Sequence, residues 1–389
     1  MNERRKVKIA FVLVNNLRTG AGTENVVKSF IHNYPSTKFE VTIVQPPTTS
    51  GIRMEEKEYK YINEQVKVLT LKSWPLEKFD FIPRYLPLEF LFYKVAWPFI
   101  ARWSVFKNRE IFKEIADFDF IYIVFNWLVY LFNDFKGKII GTNHTDFCLK
   151  EHNKYSFVLA NLIKSGLLFR KISAFHLHPN AISIREKIKK GKNIVLPPRG
   201  VDCNIYYPRE THKGKVKFLF VSRLTECKGV KFLLELWEEF KNNANVEFII
   251  VGSGPLASDV SKHSLGNLKY LGVLSEEELS RIYGESDIFL APTNCDTFPT
   301  VVWEGFASGV HAIVNQDLVH VFDDFSNKGY LTYLPLDREI WIKQINSSIN
   351  NIQKIRDNRT SLRDYFVENY TDKVITEKLF DWINKLQTN

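Results

Sequence analysis

The sequence predicts an α/β protein made of two doubly wound, Rossmann-like domains in tandem. Three observations support that class. Short, continuously apolar runs rich in β-branched residues alternate with amphipathic stretches along the chain; the alternation comes as two series; and a proline-rich break separates them. The 389 residues also exceed one ordinary core, and two domains of about 150–200 residues each are expected.

The first series opens with "KVKIAFVLV" (6–14). Basic residues precede this run as in a leader peptide, but it is short and no small-residue cleavage site follows, so it reads as a strand. "FEVTIVQ" (39–45), "FDFIYIVF" (118–125) and "GKIIGTN" (137–143) continue the series, with helices predicted over 23–33 and 156–170. The second series holds "KVKFLFVSR" (215–223), "VEFIIVG" (246–252), "LKYLGV" (268–273), "DIFLAP" (287–292) and "VHAIVN" (310–315). Helices are predicted between and after them over 229–243, 275–284, 300–309, 337–352, 357–368 and 371–387. The break "LPPRGVDCNIYYPRE" interrupts all periodicity. It sets a first domain at 1–195, a linker at 196–210 and a second domain at 211–370. The last helix, 371–389, is expected to pack back on the first domain.

Composition narrows the function classes. Hydrophobic residues make up 45% and charged residues 25%, a soluble globular balance. The most apolar run, "FIYIVFNWLVYLF" (120–132), falls short of the roughly 20 residues a spanning helix needs. Cys148, Cys203, Cys227 and Cys295 are scattered with no CxxC pair, which argues against a disulfide framework or zinc site and fits a reducing cytoplasm. Residues 1–200 carry 32 Lys+Arg against 18 Asp+Glu, whereas 201–389 carry 21 against 26. A basic front half suits an anionic surface or acceptor.

In open parallel sheets ligands bind beyond the carboxyl ends of the strands, and two facing sheets would form a cleft between domains. The unusual residues fall at such ends. After "FLFVS" come Arg223 and, beyond "LTEC", Lys228 and Gly229 opening a helix; two cations beside a helix N-terminus suit a diphosphate. After "FIIV" comes "GSGP" (252–255), where Gly252 and Gly254 let backbone approach a ligand. After "DIFLAPT" comes "CDTFPTVVWEGFASG" (295–309). Pro299 suits the first helical position, leaving the amides of Thr300, Val301 and Val302 free at the positive end of the dipole. Asp296 stands just outside, and Glu304 lies about 7 Å further along the axis, tilted back toward the N-terminus.

This order, R-x4-K-G, then GSGP, then D-x7-E, resembles the retaining family 4 glycosyltransferases of the GT-B fold. The likeness extends to "TGAGTE" (19–24) and "PRGVD" (198–202). It implies a GT-B architecture, with the first domain on the acceptor side and the second binding a nucleotide-sugar. Arg223 and Lys228 would bind the donor diphosphate, Glu304 the ribose hydroxyls and Asp296 hydroxyls of the transferred sugar. Phe298, Pro299, Thr300 and Val301 would present backbone near the sugar and β-phosphate. Gly20 and Gly22 would close over the donor, Gly272 would belong to the donor site, and His144 would stand near the sugar. The resemblance also implies retention of anomeric configuration by front-face attack, with no metal and no cofactor beyond the donor. The chain departs from the family pattern in three places. Asp296 replaces the usual Glu, His311 stands where Pro is common, and "QDLVHVFDDF" (316–325) replaces a Gly-Gly segment.

Residues 83–109 interleave Trp97, Trp103 and several Phe with Arg84, Lys94, Arg102, Lys107 and Arg109, and "NLIKSGLLFRKI" (161–172) repeats the mixture. Such a face suits an anionic bilayer; no nucleic-acid recognition module accompanies it. The expectation is a cytoplasmic enzyme, peripheral on the inner face of the membrane. It would use a UDP- or GDP-sugar and a glycan acceptor carried on a lipid. The alternatives are a non-catalytic GT-B subunit supporting a partner and, on charge alone, a nucleic-acid-binding protein.

Overall fold

The computed structural model describes residues 5–19, 22–47, 54–72, 74, 97–124, 126–142, 171–179, 192–209, 214–296 and 298–388. The chain divides into two compact units, Met1–Arg199 with Ile375–Asn389, and Gly200–Val374. The helix predicted at 156–170 lies outside the described residues.

In the first unit a parallel sheet takes the order β3-β2-β1-β4-β5-β6-β7. Its strands are β1 (Val7–Val12), β2 (Phe39–Gln45), β3 (Lys67–Thr70), β4 (Phe120–Ile123), β5 (Lys138–Thr142), β6 (Ala174–Leu177) and β7 (Ile194–Val195). One face buries Ile9, Phe11, Phe30 and Tyr122. The other buries Ala10, Val12, Ile121 and Ile123. Both faces of the central strands are covered, which is why those strands are continuous apolar runs rather than alternating ones. The C-terminal helix Asp372–Thr388 closes the first face through Leu379, Phe380, Ile383 and Leu386. Phe380 meets Phe39 edge-on at 4.8 Å, and Lys138 donates to the Leu386 carbonyl.

The second unit repeats the plan in the order β10-β9-β8-β11-β12-β13, all parallel. Its strands are β8 (Val216–Val221), β9 (Val246–Val251), β10 (Leu268–Tyr270), β11 (Ile288–Ala291), β12 (His311–Asn315) and β13 (Leu331–Leu334). From β8 the chain winds outward to β9 and β10, then returns to lay β11 against the other side of β8. The β8/β11 boundary is therefore the topological switch point, where an open α/β sheet leaves a crevice beyond its carboxyl ends.

All nine strands expected from the sequence are present. The four not anticipated are β3, β6, β7 and β13. Three of these are short edge strands with partly exposed residues, so they lack the continuous apolar signal. In β6 the buried His176 breaks it instead. Gly200 and the residues after it count with the second unit: Tyr206 is buried, and the Arg209 N–H donates to the Gly284 carbonyl at 3.1 Å. Among the described residues, no helix is long and apolar enough to cross a membrane.

Candidate functional site at the carboxyl edge of the second sheet

Four segments leave the carboxyl ends of adjacent strands. Beyond β8 the chain passes Ser222 and an exposed Arg223 into a single 3-10 turn, Glu226–Lys228, and then the helix Val230–Phe240. The join is Gly229, at φ +83°. A Cβ there would collide with the carbonyl oxygen of Pro292, the residue just beyond β11, so glycine is what lets the two switch-point segments touch.

Beyond β9, Gly252 has φ +131°, and a Cβ would run into the Ser222 carbonyl oxygen. The GSGP turn is thus pressed onto the Arg223 segment, with the Leu224 N–H donating to the Ser253 carbonyl at 2.8 Å. Gly272, beyond β10, accepts from the Gly252 N–H at 2.7 Å. At Gly252 and Gly254 the close approach is to the backbone of Ser222 and Leu224, whereas a Cβ on Gly272 would meet open space.

Beyond β11 comes the stretch with the two acids. Lys228 and Asp296 form an ion pair. The two segments are also joined by backbone, the Asn294 N–H donating to the Cys227 carbonyl at 3.0 Å. The Asn315 amide holds the same loop by donating to the Thr293 carbonyl at 2.9 Å. Phe298 stacks on Trp303 at 5.3 Å, fixing the entry to the helix Thr300–Ala307.

Pro299 is the N-cap of this helix, not its first helical residue, with ψ 99°. A residue still in extended backbone cannot begin the α ladder, so the helix starts one position later than expected. As a further correction, the Val302 amide is not free: it donates to the Pro299 carbonyl at 3.1 Å, closing the first turn. Thr300 and Val301 occupy that first turn. At the other end Arg359 donates to the Ser308 carbonyl at 3.3 Å, and Arg363 donates to the Ala307 carbonyl. Both cations sit at the negative end of the helix dipole, where positive charge is favoured.

Glu304 is only 8% exposed. The Tyr283 hydroxyl lies 3.2 Å from its Oε2 and 2.9 Å from the Val301 carbonyl, donating to either. Burial, with the Glu304 charge adding to it, holds the Tyr283 phenol well above its ordinary range. Tyr283 is a residue of the candidate site that sequence reasoning missed. Nothing distinguishes it along the chain from other buried tyrosines, and only packing brings it to Glu304.

The structure therefore brings Lys228 and Asp296 into contact, and places Arg223, Gly252, Gly254, Gly272, Phe298, Pro299, Thr300, Val301 and Glu304 at one edge of the second sheet. Gly22 opens the helix Gly22–Asn33 beyond β1 in the first unit. Gly20 and His144 lie outside the described residues. His311 begins β12, at the opposite edge from the acids. Among the described residues no three His, Cys, Asp or Glu side chains gather to hold a metal ion.

Comparison with known proteins bears on the second unit and on the fold. Residues 215–351, within the second unit, match the family described as glycosyl transferases group 1. The chain as a whole has the GT-B fold. It superposes on a sucrose-phosphate synthase from Thermosynechococcus elongatus with a TM-score of 0.71 over 98% of this chain and 99% of that one, at 15% identity. It also superposes on Anabaena HepE in complex with UDP and glucose, with a TM-score of 0.65 over 97% and 99%, again at 15% identity. In sequence it is 31% identical over 148 residues to a GDP-mannose-dependent alpha-mannosyltransferase from Corynebacterium glutamicum, which is 35% of each chain. The chain spans less than half the length of the first curated relatives it matches.

Proposed function

We propose that the protein is a retaining glycosyltransferase that moves a sugar from a UDP- or GDP-sugar to a glycan acceptor carried on a lipid. The observation that carries this reading is the Lys228–Asp296 pair at the switch point, beside the N-terminus of a helix whose Glu304 is buried. Lys228 and Arg223 supply positive charge for a diphosphate, and the helix N-terminus adds its dipole. Glu304, acceptor-only when ionised, suits the two vicinal hydroxyls of a ribose. Tyr283 keeps its carboxylate aimed. On donor arrival Lys228 exchanges Asp296 for phosphate, and Asp296 is released to accept from hydroxyls of the sugar.

The same groups favour the transition state over the ground state. Negative charge grows on the departing nucleoside diphosphate, and fixed cations and amides meet it without reorganising. That phosphate oxygen can take the acceptor's proton, so the reading needs neither a protein nucleophile nor a metal. The relatives support the donor class: one is named for GDP-mannose and one was solved with UDP and glucose.

The acceptor side is read from the first unit. On the helix Trp97–Lys107, Phe99, Trp103 and Phe106 share one face and are 74%, 49% and 67% exposed. Lys107 lies over the Trp103 ring at 5.7 Å. Exposed aromatics flanked by cations suit insertion at an anionic bilayer, where a lipid-linked acceptor is presented.

A panel of UDP- and GDP-sugars, read as nucleotide release with and without detergent-solubilised lipid-linked glycan, tests the proposal. Acceptor-stimulated release from one donor is expected. Nucleotide binding without release from any donor would favour a non-catalytic subunit, and no binding at all would refute both readings.

A further inference from the structure

Two of the cysteines scattered through the sequence meet in space. Cys227 immediately precedes Lys228, Cys295 immediately precedes Asp296, and the Cys295 thiol points at the Cys227 sulfur with 2.7 Å between them. The contact is framed on both sides. Thr225 Oγ1 lies 3.4 Å from the Cys227 sulfur and Thr293 Oγ1 3.9 Å from the Cys295 sulfur. The Asn294 amide already clips the two backbones together. Both cysteines are half-buried rather than sealed in a core, so a small oxidant reaches them.

We propose that Cys227 and Cys295 form a modification site: a peroxide closes them into a disulfide that locks Lys228 onto Asp296 and shuts the diphosphate out of the site. The effect on donor binding rests on the function proposed above, whereas formation of the disulfide does not. Cys295 donates the hydrogen of the S–H···S contact, which makes Cys227 the sulfur better placed to attack. Burial and that hydrogen bond push the Cys295 thiol up to about 12, with Lys228 opposing, so Cys295 serves as the resolving thiol.

The chemistry balances. The Cys227 thiolate attacks one peroxide oxygen; the S–O bond forms, the O–O bond breaks, and hydroxide leaves to be protonated as water. Cys295 then attacks the Cys227 sulfenic sulfur. Its proton joins the departing hydroxyl as a second water, and the S–S bond forms. Two electrons pass from the sulfur pair to the peroxide. A dithiol reverses the step by exchange.

The consequence follows from adjacency. Donor binding requires Lys228 to leave Asp296, which the reduced loops allow. A covalent link one residue back on both chains holds the two backbones in the paired arrangement.

The test uses the full chain, treated with hydrogen peroxide and then with dithiothreitol. Intact mass should fall by two hydrogens, peptide mapping should join the segments holding Cys227 and Cys295, and affinity for UDP or GDP should drop by about tenfold or more. Dithiothreitol should restore all three. Cys227→Ser and Cys295→Ser should bind nucleotide like the reduced protein and should not respond to peroxide. Should either variant fail to fold, mass and calorimetry on the wild-type chain decide alone. No cross-link, or one through Cys203 instead, overturns the site. A cross-link with unchanged nucleotide affinity overturns the lock. A reduced protein that binds neither nucleotide overturns the donor reading and the lock with it, while the mass result still judges the disulfide.

Discussion

The second sheet carries an ion pair at each of its two edges, and the two are built differently. At the amino edge Arg356 and Asp287 meet at 2.9 Å with side-chain exposures of 8% and 0%. At the carboxyl edge Lys228 and Asp296 are 17% and 21% exposed. The first pair is tied into the fold by further bonds. Asp287 also accepts from the Lys217 amide at 2.9 Å, and Arg356 donates to the Gly214 and Lys215 carbonyls, each at 3.2 Å. It is a fork-on-fork contact that pins the strand β11 and the helix Ile352–Asp357 together. The second pair is a point charge on a flexible stem against a loop acid, at the switch point, with solvent access. One pair is built to stay closed and the other to be exchanged.

Substitutions separate the two edges. The largest effect is expected at the amino edge. Arg356→Ala leaves Asp287 buried without its partner and should lower unfolding free energy by about 3–5 kcal/mol in urea titrations. The folded fraction should keep its nucleotide affinity. At the carboxyl edge the pattern should invert. Lys228→Ala and Glu304→Ala should each cut turnover by about 10²-fold or more while leaving thermal midpoints nearly unchanged. Equal stability losses at both edges would erase the distinction.

Smaller effects sharpen it. Gly252→Ala forces a side chain onto φ +131° and against Ser222, and should cost about 1–3 kcal/mol of stability. Tyr283→Phe removes the hydroxyl that aims Glu304, and its loss should appear as a severalfold rise in KM for the donor rather than as unfolding, in keeping with about 1 kcal/mol for one hydrogen bond.

A further effect, seen only as pH falls, is a slope from His311, buried at the amino edge. Burial, with the Arg359 charge adding to it, lowers its pKa from 6.5 to about 4. The unfolded chain takes a proton as pH falls through 6.5, while the folded chain resists until about 4. The stability this neutral histidine contributes is complete above 6.5 and is lost across that interval. His311→Gln should flatten the slope of the urea midpoint over the same range. An unchanged slope would remove His311 from the account.

The central strands were legible because a strand covered on both faces is written as an unbroken apolar run, as in "FLFV" and "FIIV". The edge strands were not, since short, partly exposed segments such as "KVLT" and "LTYL" carry no period. The site was legible where backbone geometry dictates residue type: Gly229 and Gly252 mark collisions that only glycine avoids. It was illegible where the partner is remote in sequence. Tyr283 reaches Glu304 across 21 residues, and Cys295 reaches Cys227 across 68. No spacing rule encodes either contact, because both arise from the order in which strands assemble. The departure at His311 also changes meaning, since it stands at the edge opposite the acids.

Calorimetric titration of UDP and GDP into the wild-type chain and into Lys228→Ala and Arg356→Ala tests the central claim most directly. One nucleotide should bind the wild type and Arg356→Ala alike, with about tenfold or greater loss in Lys228→Ala. Equal binding by wild type and Lys228→Ala, or loss in Arg356→Ala while it remains folded, would contradict the assignment of the carboxyl edge as the donor site.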